Sequence, residues 1–206
     1  MIQALLLLLA STGSPAFPPP KNLDAEVSAV VAEWIGDYRS APGDPPRTAV
    51  VRSIAVPKLA KRAVFIEVRD GGADGKIIFQ RIIGFADRPD RVRNWAASYY
   101  FMDAAAHARL DRRPVEAAAL GPDDIGVFSP DPGSCALQLF QEEGRFTLTS
   151  HKDMCHIVSR FTPGLVFHPE MRLTIGKSEF RFFEQGFFET GEPVQAPLSY
   201  VLAKAR

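Results

Sequence analysis

Residues 133–155, GSCALQLFQEEGRFTLTSHKDMC, and the Phe-rich run that follows them to Arg206 decide the fold class. Cys135–Phe140 and Arg145–Thr149 read as the arms of a hairpin turning across Gln141–Gly144. Beyond it, Leu165–Phe167, Arg172–Ile175, Glu179–Phe183 and Leu198–Ala203 are further strand candidates. Almost no helical pattern separates them. Short strands at this spacing predict an antiparallel sheet closed into a barrel or folded as a sandwich. Closure also removes the edge strands that so Phe-rich a chain would otherwise expose.

Upstream, one helix and one hairpin stand out. Val27, Val30, Val31, Trp34 and Ile35 recur at i, i+3, i+4, i+7 and i+8, with Asn22 or Asp24 placed to cap the start and Gly36 to end the helix. The period then drops to two. Val64, Ile66 and Val68 alternate with Phe65, Glu67 and Arg69, Asp70–Gly75 supplies a turn, and Ile77–Ile83 returns. Trp95, Tyr99, Tyr100 and Phe101 make an aromatic segment in which Tyr99 and Tyr100 face opposite ways, and residues 103–110 read as a short helix or helical turn.

The amino terminus, MIQALLLLLA, is apolar but too short to span a bilayer, and Ser14-Pro15-Ala16 offers a cleavage site. The expected organisation is a signal peptide over 1–16, a Pro-rich spacer over 17–22 and one β-barrel domain over 23–206, placed in the periplasm or secreted. No Lys or Arg precedes the apolar run, and no cysteine follows it to carry a lipid anchor. The remaining chain of roughly 185 residues is long enough for one substantial core. Apolar residues make up 46% of the sequence, and 24 basic residues balance 24 acidic ones. Bulk charge therefore points to neither nucleic acid nor an anionic membrane surface. No second long apolar run is present, so no transmembrane segment is expected in the mature chain.

Cys135 and Cys155 are the whole cysteine inventory. In an exported chain an even count favours a disulfide, and a ring of this length contributes about 3 kcal/mol on the loop-entropy model. A buried unpaired pair and a metal site with His151 and His156 are the other readings, the latter without the spacing zinc prefers. His107, His151, His156 and His168 read as loop or surface residues. No nucleophile elbow, P-loop, H-E-x-x-H or dinucleotide fingerprint is present. No catalytic residue is singled out.

The order of features resembles the CpcT/CpeT chromophore lyases of phycobiliproteins and their bacterial relatives. The resemblance is carried by Trp34-Ile35-Gly36-Asp37-Tyr38-Arg39-Ser40, by Glu67 and Gln80-Arg81 in the two hairpin arms, and by Leu120-Gly121-Pro122-Asp123-Asp124-Ile125. Gly133-Ser134-Cys135, Cys155 and the aromatic turn Phe187–Gly191 complete it. The resemblance implies a calycin-like antiparallel barrel, shaped like a lipocalin, whose cavity holds a bilin. It further implies assisted attachment of phycocyanobilin or phycoerythrobilin to a cysteine of an acceptor protein. The acceptor then supplies the thiolate, and the barrel supplies shielding and orientation.

A bilin carries two carboxylates that call for Arg or Lys, and pyrrole N–H groups that call for acceptors. The candidate ligand-binding residues are Glu67, Arg69, Gln80, Arg81, Tyr99 and Tyr100, with Arg52 as a further cation. Glu67 and Arg69 also fit the wet face of a half-buried strand. Phe180, Phe182, Phe183, Phe187 and Phe188 fit a core better than a ligand wall. Two departures from the family weigh against attachment activity: Ile78-Phe79-Gln80 stands where Tyr-Arg-Gln is expected, and Phe-Phe pairs replace a Trp and glycines. Export points the same way, toward a barrel that binds a bilin or another small lipophile, or toward a structural interaction module.

Overall fold

The computed structural model describes residues 23–87, 95–100, 108, 110, 120–124, 127–128, 136–142, 145–150, 152–159 and 163–205. The signal and spacer readings, Cys135 and with it the disulfide reading, His107 and His151 lie outside them. Helix α1 (Leu23–Trp34) leads into β1 (Gly36–Arg39), β2 (Arg47–Ile54), β3 (Arg62–Asp70), β4 (Lys76–Asp87) and β5 (Trp95–Tyr100). Then come β6 (Val127–Phe128), β7 (Ala136–Glu142), β8 (Arg145–Ser150), β9 (Ile157–Ser159), β10 (Val166–Ile175), β11 (Glu179–Phe188) and β12 (Leu198–Lys204).

Ten strands close on themselves in the order β1-β2-β3-β4-β5-β7-β8-β10-β11-β12. The ring is sealed where Tyr38 and Arg39 of β1 meet Lys204 and Ala203 of β12. Every pairing is antiparallel, so the expected all-β barrel with an N-terminal amphipathic helix is the observed one. β6 and β9 form a side flap, β9 pairing with Val166 and Phe167 of β10.

Strand alternation produces the interior. Val64, Ile66 and Val68 of β3, Phe79, Ile83 and Phe85 of β4, and Phe180 and Phe182 of β11 are buried in one apolar cluster with Leu148, Leu173 and Leu202. The helix lays Val27, Val30, Val31 and Trp34 onto that cluster, with the Trp34 ring 6.1 Å from Phe85. Its C-terminal end is tied down twice: the Tyr38 hydroxyl donates to the Trp34 carbonyl at 2.7 Å, and Lys204 Nζ donates to the Glu33 carbonyl at 3.1 Å. A cation there suits the helix dipole. Burial, with Glu33 and Asp37 nearby, pushes the Tyr38 phenol up to about 12.

A second apolar cluster lies outside the wall. Val56, Ala60, Ala63, Phe65, Ile82, Leu110 and Leu120 pack there with Tyr100. Gly84 makes room for it, since a Cβ at that position would sit 2.6 Å from the Ala60 Cβ and 2.7 Å from Tyr100 Cε2.

The strand expectations need three corrections. Val166 and Phe167 of the Leu165–Phe167 candidate and all of Arg172–Ile175 belong to one strand, β10, with Pro169 inside it. Proline lacks the ladder N–H, and it sits where the neighbour of β10 changes from β9 to β8. There the Ser150 hydroxyl donates to the Pro169 carbonyl at 3.2 Å and accepts the Met171 N–H at 3.0 Å, bridging the gap. β2 has no regular alternation and is not anticipated, because Val50 faces outward beside Thr48 and Arg52. Finally, only Phe180 and Phe182 of the five phenylalanines are fully in the core; Phe183, Phe187 and Phe188 are half-buried.

Candidate functional site

Two residues adjacent in sequence, Gln80 and Arg81, point to opposite sides of the barrel wall, and each anchors a polar cluster. Arg81 shares the inward parity of Phe79 and Ile83. Its guanidinium grips Glu184 of β11 at two points, Nη2 to Oε1 at 2.8 Å and Nε to Oε2 at 3.3 Å. The Tyr99 hydroxyl donates to the same Oε2. Arg81 also lies over the Phe79 and Tyr99 rings, 5.3 and 5.7 Å from their centroids, an arrangement that the ring quadrupoles favour.

This interior cluster is polar within an otherwise apolar lining. Glu184 is flanked in register by Met171 and Leu198 and is 5% exposed. Burial disfavours the Arg81 charge, but Glu184 and Tyr99 more than offset that, and the guanidinium holds its proton above the ordinary value. Burial raises the Tyr99 phenol well above its ordinary value; Glu184 adds to the rise and Arg81 opposes it. Arg81 therefore stays a cation and Tyr99 a neutral phenol across the physiological range. The Arg81 side chain is 11% exposed and Tyr99 is half-buried although both face inward. Beside them Phe79 and Phe182 stack at 4.4 Å, and Arg47 lies 5.0 Å from the Tyr200 centroid.

Glu67, Arg69 and Gln80 gather on the outer face. Arg69 Nε donates to Glu67 Oε1 at 2.6 Å, Gln80 Nε2 donates to Glu67 Oε2 at 2.7 Å, and Arg69 Nη1 reaches the Gly75 carbonyl at 3.1 Å. The strand-face reading of Glu67 and Arg69 holds for side but not for wetness. Both are 6% exposed, because the β3–β4 turn folds against them: the Gly71 and Gly75 backbone passes so close to Asp70 that a Cβ at Gly75 would sit 1.8 Å from its carbonyl oxygen. Beside this cluster a cavity of about 670 Å³ opens over β1, β2 and β3, lined among others by Arg39, Thr48, Val50, Arg52 and Phe65. Arg52 is committed to Asp37 at 2.5 Å and to the Gly36 carbonyl at 3.0 Å.

The six candidate residues thus fall in three places. Arg81 and Tyr99 meet inside the barrel; Glu67, Arg69 and Gln80 meet on the outer wall; Tyr100 faces the outer apolar cluster and donates to the Leu59 carbonyl at 3.1 Å. Glu184, which joins the interior pair, is not among them, although continuing the inward alternation of Phe180 and Phe182 by two residues reaches it. Among the described residues no group of three or more His, Cys, Asp or Glu side chains is arranged to hold a metal. His156 and His168 stack edge-on with centroids 4.4 Å apart, and His168 Nδ1 lies 3.2 Å from the Lys152 carbonyl. Among the described residues no helix is long and apolar enough to cross a membrane.

Comparison with solved structures finds a likeness to the CRL protein of Arabidopsis, at 16% sequence identity and a TM-score of 0.56, over 88% of this chain and 96% of that one. At that identity the likeness shows a shared fold. No family model and no curated protein matches the chain.

Proposed function

We propose that the protein is a binding barrel whose interior takes one small, largely apolar ligand bearing an acidic group, a bilin or a similar lipophile, and that it does not attach that ligand covalently. The observation that carries this reading is the interior cluster of Arg81, Glu184 and Tyr99, partly accessible within an apolar, aromatic lining. Ligand sites of this kind combine an apolar wall with a few convergent polar groups. Arg81 and Tyr99 would donate to a ligand carboxylate, and Glu184 would accept from pyrrole N–H groups. A phycocyanobilin-like tetrapyrrole meets both requirements. The order of sequence features shared with the CpcT/CpeT chromophore lyases supports the same ligand class, while Phe79 in place of a basic residue speaks against transfer to an acceptor protein.

Export to the periplasm or the exterior goes with this reading, as does a Cys135–Cys155 disulfide. Cys155 is buried, and the pairing of Gln138 with Thr149 returns the chain after β8 to the end where β7 begins. A fall of two mass units for the non-reduced protein relative to the reduced one would be the mark of that bond.

The test is a titration of the full chain with phycocyanobilin, followed by its visible absorbance. A saturable change near one equivalent is expected. The Arg81→Met/Glu184→Met pair, which removes both charges together, should weaken it by about tenfold or more. A change no larger than that with serum albumin, or an unaltered titration in the paired variant, overturns the proposal.

A further inference from the structure

A second concavity, of about 410 Å³, lies on the outer wall over β8, β10, β11 and β12. Strand register builds it from two rungs. Thr147, Thr174, Arg181 and Val201 lie side by side across the four strands, and Thr149, Arg172, Phe183 and Ser199 form the next rung. The residues between them, Leu148, Leu173, Phe182 and Tyr200, are buried inside the barrel, so both rungs face outward. Arg145, at the start of β8, reaches the same hollow.

The charges there do not balance. Arg145 and Arg181 share one carboxylate, Glu179, at 3.4 and 3.0 Å. Arg172 is exposed and makes no ion pair among the described residues; Glu170, two residues away on the same face, makes none either. Three guanidinium groups therefore line the hollow, and none of its lining residues is acidic. Hydroxyls line the floor between them, with Thr147 Oγ1 and Thr174 Oγ1 2.9 Å apart and Ser199 alongside. Phe183 lines the hollow as well, and Val201 beside it is 60% exposed.

We infer that this hollow binds a phosphate monoester whose apolar remainder rests on Phe183 and Val201. Guanidinium forks match phosphate oxygens in pairs, and arginines from several strands can approach a tetrahedral dianion from different directions. Hydroxyls donate to the oxygens the arginines leave. Its arginines and hydroxyls face away from the barrel interior, and of its lining only Phe182 and Tyr200 belong to that interior. Its chemistry fits a soluble ester or the headgroup of phosphatidic acid.

The experiment titrates the full chain with inorganic phosphate and with phenyl phosphate, and sediments it with phosphatidylcholine vesicles with and without phosphatidic acid. Phenyl phosphate should saturate and bind more tightly than inorganic phosphate. Arg172→Gln/Arg181→Gln should weaken it by about tenfold, and Arg172→Gln alone, at an exposed side chain, by severalfold. Arg39→Gln, an equal loss of charge on β1, should leave binding unchanged. Vesicle binding that needs phosphatidic acid and is lost in the double variant assigns the lipid headgroup; phenyl phosphate binding without it assigns a soluble ester. No saturable binding to either phosphate and none to the vesicles overturns the inference, as does an equal loss in Arg39→Gln.

Discussion

The inner and outer polar clusters contain nearly the same chemistry, one guanidinium, one carboxylate and one neutral hydrogen-bonding group, yet they do different work. Glu67, Arg69 and Gln80 all belong to the β3–β4 hairpin, so the outer cluster closes locally, within a turn of its own strands. Arg81 and Glu184 are separated by 103 positions in the chain, and the inner cluster forms only once β11 has come round to face β4. A local network can be built before the barrel closes; a long-range one is a consequence of closure and a reason for it to hold. Since buried ion pairs contribute little when both members are removed together but cost heavily when one is left, the inner cluster is a poor choice for stability alone. Its partly accessible position inside the barrel is what the proposed ligand role rests on.

The contrast is open to attack first at its deepest point. Arg81→Leu strands the Glu184 carboxylate inside the barrel and should lower stability by about 3–5 kcal/mol, whereas Arg81→Met/Glu184→Met should recover most of the loss. Urea unfolding of the single and paired variants measures both. Equal stability in the single variant would mean that Glu184 finds another partner. Glu67→Leu should cost less, about 1–3 kcal/mol, because Arg69 keeps the Gly75 carbonyl and borders the outer cavity. If Glu67→Leu proved the more damaging, the division into a local and a closing cluster would be wrong.

How much of this was legible beforehand follows from which physical signal each element leaves. The helix and the β3–β4 hairpin announce themselves because one face of each is apolar with the right period, at Val27, Val30, Val31 and Trp34 and at Val64, Ile66 and Val68. β2 does not, since its outward Val50 borders the outer cavity and blurs the alternation. Pro169 reads as a break in sequence and is accommodated in space by the handover between β9 and β8. Among the candidate residues, the side each faces could be read from parity, as Tyr99 and Tyr100 illustrate. What covers them could not. The burial of Glu67 and Arg69 comes from a turn folding back, and the pairing of Arg81 with Glu184 from closure of the ring; neither leaves a mark in a local window. The arginine hollow over β8 to β12 is legible only once register sets Arg172 beside Phe183 and Arg181 beside Thr174.

The smallest effect sharpens the comparison through proton linkage. Tyr99→Phe removes one hydrogen bond to Glu184, which keeps its two-point contact with Arg81, so the cost near neutrality should be about 1 kcal/mol. That cost should change with pH. The folded chain holds the Tyr99 proton well above the ordinary value of 10.0, while the unfolded chain releases it near that value. Above pH 10.0 the unfolded state therefore binds fewer protons than the folded one, and wild-type stability falls as pH rises toward the folded value. Tyr99→Phe lacks this contribution, so its unfolding free energy should decline less steeply and the gap to wild type should narrow. Tyr38, Tyr100 and Tyr200 are also raised by burial, so the variant keeps a slope of its own, shallower than the wild type's. Parallel curves above pH 10.0 would mean that folding leaves the proton affinity of Tyr99 unchanged, and would separate its role from that of Arg81.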